Sequence, residues 1–298
     1  MSDAPSVIAL PVIPPPEPRS RLTSRRTDTI QTTLPKLTVS SRGDLSCSRK
    51  WDLLRVKKTG WGAPRDFPAS VGRGSALHSC LQNLHAARWE DELPMIDLPT
   101  YARQAAYSAR YGPGVSRDSE AELIEEMARL FLDNQDPEDV AAIIALETQI
   151  EFDYVFKGEG LARISATIDR VLCRPESPHT LIIQDFKTTK QKLALDECFI
   201  LLWCAARKWP GYDEWTLELL WIDLEQGQVT VDVVPHRLCR GQLKLLTAAL
   251  LRVKHLPPTP EPSVDCCQWC PMREECQGLC EVRLDDDGGD VFRGKLED

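Results

Sequence analysis

Apolar residues along this chain change their period near its middle. Leu77, Leu81 and Leu84 recur three or four apart with His78 among them, which predicts an amphipathic helix starting near Ser75. Ser119 followed by Glu122 reads as a capping box opening a second helix, with Leu123, Met127 and Leu130 on one face. The period then falls to two. Ile150, Phe152, Tyr154 and Phe156 alternate as a half-buried strand, Lys157-Gly158-Glu159-Gly160 is a turn, and residues 161–172 read as the returning strand. Thr180–Phe186 is a third strand whose apolar run implies burial on both faces. A helix around Leu193–Lys208 stops at Pro210-Gly211. Strands at 215–224 and 228–234 follow, then a last helix at 238–254 with Leu243, Leu246, Leu250 and Val253 on one stripe.

The ends differ from this middle. Residues 1–36 are rich in Pro, Ser, Thr and Arg, with Pro14-Pro15-Pro16 inside, and are expected to be a disordered basic tail. Leu45, Trp51, Leu54 and Val56 give the next segment apolar anchors, and Gly60 to Gly74 reads as a loop. A Pro-rich linker at 257–262 precedes a cluster of cysteines. From Glu281 onward 7 acids stand against 3 bases, which predicts a loose acidic tail over 281–298.

The totals suit a soluble globular protein of 298 residues with 42 % hydrophobic content. No run of 18 apolar residues predicts a membrane span, and the first segment lacks a signal peptide's unbroken apolar stretch, so the expected location is cytoplasmic. The net charge of −9 is unevenly spread. Residues 1–73 hold 13 Lys and Arg against 6 Asp and Glu, a local +7 that leaves −16 for the rest. An acidic total is therefore compatible with a locally basic, nucleic-acid-facing surface. No GxxxxGK[ST] stretch is present, so no nucleotide-hydrolysing motor is expected.

The third strand ends in Asp185-Phe186-Lys187-Thr188. Side chains alternate along a strand, so Asp185 and Lys187 share a face. By itself the pattern is weak and reads first as a surface ion pair at a strand end. Asp169 closes the preceding strand in Ile168-Asp169-Arg170-Val171, and His78 sits near a helix start in Gly74-Ser75-Ala76-Leu77-His78. Two carboxylates and an imidazole can hold one divalent ion, with oxygen suiting Mg²⁺ and the imidazole suiting Mn²⁺. A metal and an ammonium together polarise water beside a phosphodiester and offset the charge growing at phosphorus.

The order Gly-x-Ala-x-His, Ile-Asp-Arg-Val, Asp-x-Lys-Thr resembles the RecB-type branch of the PD-(D/E)XK nuclease superfamily. The resemblance spans roughly residues 37–280. It implies an α/β fold with a restriction-endonuclease-like mixed β-sheet flanked by helices. It also implies that His78, Asp169, Asp185 and the Phe186 carbonyl bind metal while Lys187 assists the attacking water. Glu147 has the place of a secondary acid. The family usually carries Gln-x-x-x-Tyr on the helix after the lysine. Here Glu197 and Leu201 fall at those sites, or Phe199 and Trp203 in a register shifted by two.

Eleven cysteines are many for a cytoplasmic protein, and clustered cysteines there point to metal. Cys267-x2-Cys270-x5-Cys276 offers three thiolates, with Cys266 and Cys280 as alternatives. A fourth must come from upstream, where Cys47 is the best candidate and Cys80 a weaker one. Four thiolates suit a [4Fe–4S] cluster or Zn²⁺. The segment around Cys47, Arg49, Lys50 and Trp51 resembles the start of iron–sulfur RecB-like nucleases, which favours the iron–sulfur cluster. Such a cluster would staple the N-terminal segment to residues 264–280 and bring Arg49 and Lys50 near phosphates. The expected function is a Mg²⁺- or Mn²⁺-dependent DNA exonuclease on single strands or ends. It would act alone or beside a separate helicase, recombination or CRISPR adaptation protein. The alternative is a non-catalytic DNA-binding or assembly subunit.

Overall fold

The computed structural model describes residues 33–39, 45–57, 69–89, 97–156, 160–188, 194–239, 241–255, 281–284 and 290–293. A mixed sheet is built from β1 (Thr33–Thr38), β2 (Ile143–Phe156), β3 (Gly160–Leu172), β4 (Thr180–Lys187), β5 (Glu214–Asp223) and β6 (Gln228–Pro235). β2, β3 and β4 run antiparallel in succession, and β4 and β5 are parallel. A parallel pair needs a crossover, supplied here by α6 (Leu195–Lys208). β5 and β6 pair antiparallel, and β1 pairs parallel with the first half of β3.

Helices cover both faces. On one side lie α2 (Ala69–Trp89), α3 (Leu98–Ser108) and α4 (Arg117–Asp133). Their Leu77, Leu81, Ile124 and Phe131 pack under Phe186, Leu220 and Ile222. The short α5 (Pro137–Ala141) then leads into β2. On the other side, α6 and α7 (Gln242–His255) pack with Trp51 on Ile183, Leu217 and Leu219. Fully burying side chains such as Leu77 or Leu181 contributes roughly 1.5–3 kcal/mol each. Alternation sorts β4 cleanly: Leu181 and Ile183 face the α6 side, while Phe186 faces the α2 side. On β3 the alternation breaks, because Ile168 and Val171 both lie in the α6 core. The break falls at Asp169.

Several boundaries differ from the sequence reading, each for a packing reason. α2 begins at Ala69, so Gly72 and Gly74 are helical instead of ending a loop. A Cβ at Gly72 would lie 2.5 Å from the Arg110 carbonyl oxygen and 2.5 Å from the Tyr111 ring. Glycine is there to let the helix touch the α3–α4 connection, a tertiary demand that reads as a loop signal in sequence. Periodicity does not predict α3. Asp97 caps it by accepting from Thr100 N–H at 2.9 Å, and its buried face is Tyr101, Ala102, Ala105 and Ala106, too small to mark an apolar stripe. α4 starts earlier than the expected capping box, with Ser116 as its cap. β2 begins at Ile143, seven residues before its clear alternation.

Two of the expected tails also need correction. Residues 33–36 fall within β1, where Leu37 is fully buried against β3 and Pro35 is tolerated because β1 pairs on one side only. Within the acidic segment from Glu281, β7 (Glu281–Leu284) and β8 (Asp290–Arg293) pair antiparallel. Val282, Val291 and Phe292 supply β-formers on either side of a Gly-containing sequence. The short α1 (Ser48–Trp51) continues as one π-helical turn over Asp52–Val56. No helix among the described residues is long and apolar enough to cross a membrane.

Candidate metal centre and active site

The site lies where the β3–β4 ladder ends. Pairing stops at Arg170 and Gln184. One residue further, the Asp169 side chain takes over: its Oδ2 accepts the Phe186 backbone N–H at 2.7 Å. A carboxylate thus replaces a ladder bond and holds the two strand ends slightly apart. α2 brings His78 over this gap. Its Nδ1 lies 3.0 Å from Asp169 Oδ1 and its Nε2 2.8 Å from the Phe186 carbonyl oxygen. Both neighbours are acceptors, so the ring donates from both nitrogens as an imidazolium. Burial pulls its pKa down, but Asp169, Asp185 and Glu147 outweigh that and lift it to about 9.

Glu147 enters from β2, across from Asp169, between the paired positions Leu146–Arg170 and Thr148–Ile168. Its φ of 41° is the only positive value at a non-glycine residue among the described residues. Backbone strain of this kind persists where surrounding structure enforces it and is concentrated at functional sites. One donor atom each from His78, Glu147 and Asp169 lies within 4.8 Å of the others. Metal–oxygen bonds of about 2.0–2.6 Å put opposite ligands roughly 4–5 Å apart, so the three donors fit one divalent ion. They are hard oxygen and imidazole donors, the chemistry of Mg²⁺ or Mn²⁺ more than of a thiolate-seeking metal.

Asp185 is buried beside this group, and its Oδ2 is 2.7 Å from Lys187 Nζ. Burial and Asp169 push its pKa up to about 7, against Lys187 and His78. Burial and Asp169 likewise bring Glu147 to about 7, against His78. Two carboxyls held that high signal a surplus of negative charge in a space with little water. Lys187 moves the other way from what burial favours: Asp185 and Glu197 together hold it above its ordinary value. Its Nζ donates to Glu197 Oε1 at 2.6 Å, from the first turn of α6.

The sequence-derived residues thus fall into three groups. His78, Asp169 and the Phe186 carbonyl are in mutual contact, with Asp185 and Lys187 adjoining. Glu147, held as secondary in the sequence, stands with the His78 and Asp169 donors, and Asp185 adjoins them. Its signal was faint because it precedes the clear alternation of β2. The contact of Glu197 was missed, although its place one helical turn into α6 was visible. Cys47 is elsewhere, buried at the start of α1, where its Sγ accepts the Lys50 backbone N–H at 3.4 Å. Arg49 also lies in α1. Cys267, Cys270 and Cys276 lie outside the described residues. Cys80 is fully buried in the α2–α4 core, where burial pushes its thiol up to about 12.

A strand end that pairs hard metal donors with a fixed ammonium is suited to phosphodiester chemistry, and the fold around it has known counterparts. The chain belongs to the PD-(D/E)XK nuclease superfamily, which matches residues 44–277. Among solved structures it resembles the "Putative exonuclease" from Eubacterium rectale, at 12% identity and a TM-score of 0.50, covering 88% of this chain and 96% of that one. It also matches SSO0001 at 12% identity and a TM-score of 0.35, covering 68% of this chain and 83% of that one. No curated protein matches it. The mixed sheet flanked by helices is the fold expected of this superfamily.

Proposed function

We propose that this chain is a Mg²⁺- or Mn²⁺-dependent deoxyribonuclease acting as an exonuclease on single strands or DNA ends. The observation that carries the reading is the convergence of His78, Glu147 and Asp169 donors beside the Asp185–Lys187 pair. His78, Glu147 and Asp169 would hold the cation, with Asp185 and the Phe186 carbonyl beside them. A bound divalent ion there supplies Lewis-acid polarisation of the phosphodiester and a more acidic water. The protein's own groups do the rest. Asp169 ties β3, β4 and His78 into one unit through its two oxygens. His78 gives up a ring proton when its nitrogen becomes a ligand, so cation binding releases protons. Lys187, kept protonated by two carboxylates, donates toward the oxygen on which charge develops and is a poor base.

A cysteine-bound cluster is part of the same proposal: Cys47, Cys267, Cys270 and Cys276 hold [4Fe–4S], with zinc as the alternative. Cys47 suits the role because a backbone N–H already points at its sulfur. α1 packs on α7, and the chain leaves α7 at His255, 12 residues before Cys267. Cys80, enclosed in the opposite core, suits it poorly. The superfamily match begins just before Cys47 and ends just after Cys276. The cluster would hold Arg49 and Lys50 beside the nuclease core, where they could contact phosphates. The biological setting is DNA repair, recombination or CRISPR adaptation, with a separate helicase or recombination protein as the kind of partner.

Labelled single-stranded and duplex DNA, each incubated with Mg²⁺ or Mn²⁺, test the catalytic claim. Wild type is expected to degrade DNA and Asp185→Ala to fail; equal degradation by both overturns it. Freshly purified protein is expected to be brown with broad absorption near ~400 nm. Colourless anaerobic protein with stoichiometric zinc replaces iron by zinc in the proposal. Cys47→Ser is expected to lose the metal, and normal metal content in that variant removes Cys47 from the ligand set.

A further inference from the structure

We propose that Glu197 is a positioning residue, the anchor that aims the Lys187 ammonium at the reacting phosphate; the inference rests on the nuclease reading of this site. A lysine ammonium carries three N–H donors on a flexible four-carbon stem, so a single partner leaves it free to swivel. Here two carboxylates on different elements hold Nζ. Asp185 approaches from β4 at 2.7 Å and Glu197 from α6 at 2.6 Å. One donor is committed to Glu197 and the Asp185 carboxylate holds Nζ by ionic contact, which fixes the ammonium between two elements and leaves it a donor for substrate or water.

The anchor is itself rigid. Glu197 lies in the first turn of α6, where the helix dipole favours a carboxylate. Its backbone N–H is bonded by the Ala194 carbonyl at 3.0 Å and by Asp196 Oδ1 at 3.0 Å. The next residues, Cys198 to Leu202, are buried in the core, so the helix cannot slide without repacking. Where the resemblance expects glutamine, this chain has a glutamate. An amide oxygen can accept the same hydrogen bond, but only a carboxylate adds an ionic hold. Leu201, at the place of the expected tyrosine, is buried and offers no polar contact. Among the described residues, Glu197 is the group of α6 that holds Lys187.

The test is a mutant cycle on the full chain with Mn²⁺ and labelled single-stranded DNA, comparing wild type, Glu197→Ala, Glu197→Gln, Lys187→Ala and the Glu197→Ala/Lys187→Ala pair. Misplacing a reacting group by about 1 Å costs on the order of 100-fold, so Glu197→Ala is expected to lower kcat by about that much with KM little changed. Mn²⁺ affinity by calorimetry and the thermal midpoint are expected to stay at wild-type values. Glu197→Gln is expected to recover most of the loss, and the double variant to be no slower than Lys187→Ala. The proposal is overturned by wild-type kcat in Glu197→Ala when Lys187→Ala is inactive. Losses that multiply in the double variant, or a fall in Mn²⁺ affinity, overturn it equally. If Lys187→Ala keeps full activity, the nuclease reading of the site fails instead. A crystal structure of Glu197→Ala then decides the positioning claim: Lys187 leaving its place beside Asp185 supports it, and Lys187 unmoved overturns it.

Discussion

Two buried charge clusters sit on neighbouring residues of the same strands, and they are built on opposite rules. On the α2 side, Arg170 donates to Gln184 at 2.5 Å, Gln184 to Glu218 at 2.7 Å, and Arg174 bridges Glu218 at 3.3 Å and Asp139 at 2.5 Å. Two arginines face two carboxylates, and the Arg170 guanidinium also lies over the Phe131 and Phe186 rings at 5.3 and 5.5 Å. One residue along, among the described residues, Glu147, Asp169, Asp185 and Glu197 stand against Lys187 and His78. The first cluster is charge-balanced, with Arg170 Nη1 its one buried atom lacking a hydrogen bond among the described residues. The second has surplus negative charge, two carboxyls lifted to about 7 and a strained backbone at Glu147. A balanced network fixes strands in register; an unbalanced one stores a need for a cation. The two differ by a single step along β3 and β4.

The sharpest break of this comparison is in activity. Lys187→Ala is expected to lower kcat on the order of 10²–10³-fold, as for loss of one preorganised donor, with the fold intact by circular dichroism. Glu218→Ala should do the reverse. Leaving the Gln184 amide without its acceptor and Arg174 with Asp139 alone is expected to cost about 1–3 kcal/mol in urea unfolding, while cleavage at low temperature persists. If Glu218→Ala instead abolishes cleavage in a folded protein, the two clusters are one functional unit.

A smaller effect is expected at Glu147. Replacement by glycine relieves a positive φ worth about 1–3 kcal/mol, so the metal-free protein should gain stability. Its Mn²⁺ affinity should fall; an affinity equal to wild type would remove Glu147 from the donor set. The mildest effect is the response to pH. Glu147 and Asp185 have folded-state values raised to about 7, and His78 one raised to about 9. Each group therefore binds its proton more tightly when folded. The stability it contributes is complete below its unfolded value and fades as pH rises through the folded one. Metal-free protein should lose thermal stability between about pH 4 and pH 9 on this account. Mn²⁺ should stabilise more at pH 8.5 than at pH 6, since fewer protons must leave. Equal thermal shifts at both pH values would contradict the assigned ligands.

Much of the sheet was legible because period-two alternation survives wherever one face is buried. Phe152, Tyr154 and Phe156 announced β2, and Thr180–Phe186 announced β4 to within a residue. Legibility failed where local signals serve distant partners. Gly72 reads as a loop residue until the Arg110 carbonyl is seen against it, and the small buried face of α3 gives no hydrophobic stripe at all. Ser119 and Glu122 suggested a helix start, but Ser116 won it, because the cap is set by where the chain turns after α3.

The candidate site divides along the same line. The sequence alone set which residues have suitable chemistry: His78, Asp169, Asp185 and Lys187 stand in an order and on elements that strand and helix periodicity can predict. That Asp185 and Lys187 share a face is dictated by the two-residue repeat of a strand. Only the tertiary structure decided which donors meet. It set Glu147 against Asp169 by strand register, put Lys187 beside Asp185, and brought Glu197 in on a helix whose placement depends on packing 14 residues against the sheet. Local periodicity fixes the direction a side chain takes, whereas its partner depends on register and helix docking, which are properties of the whole core.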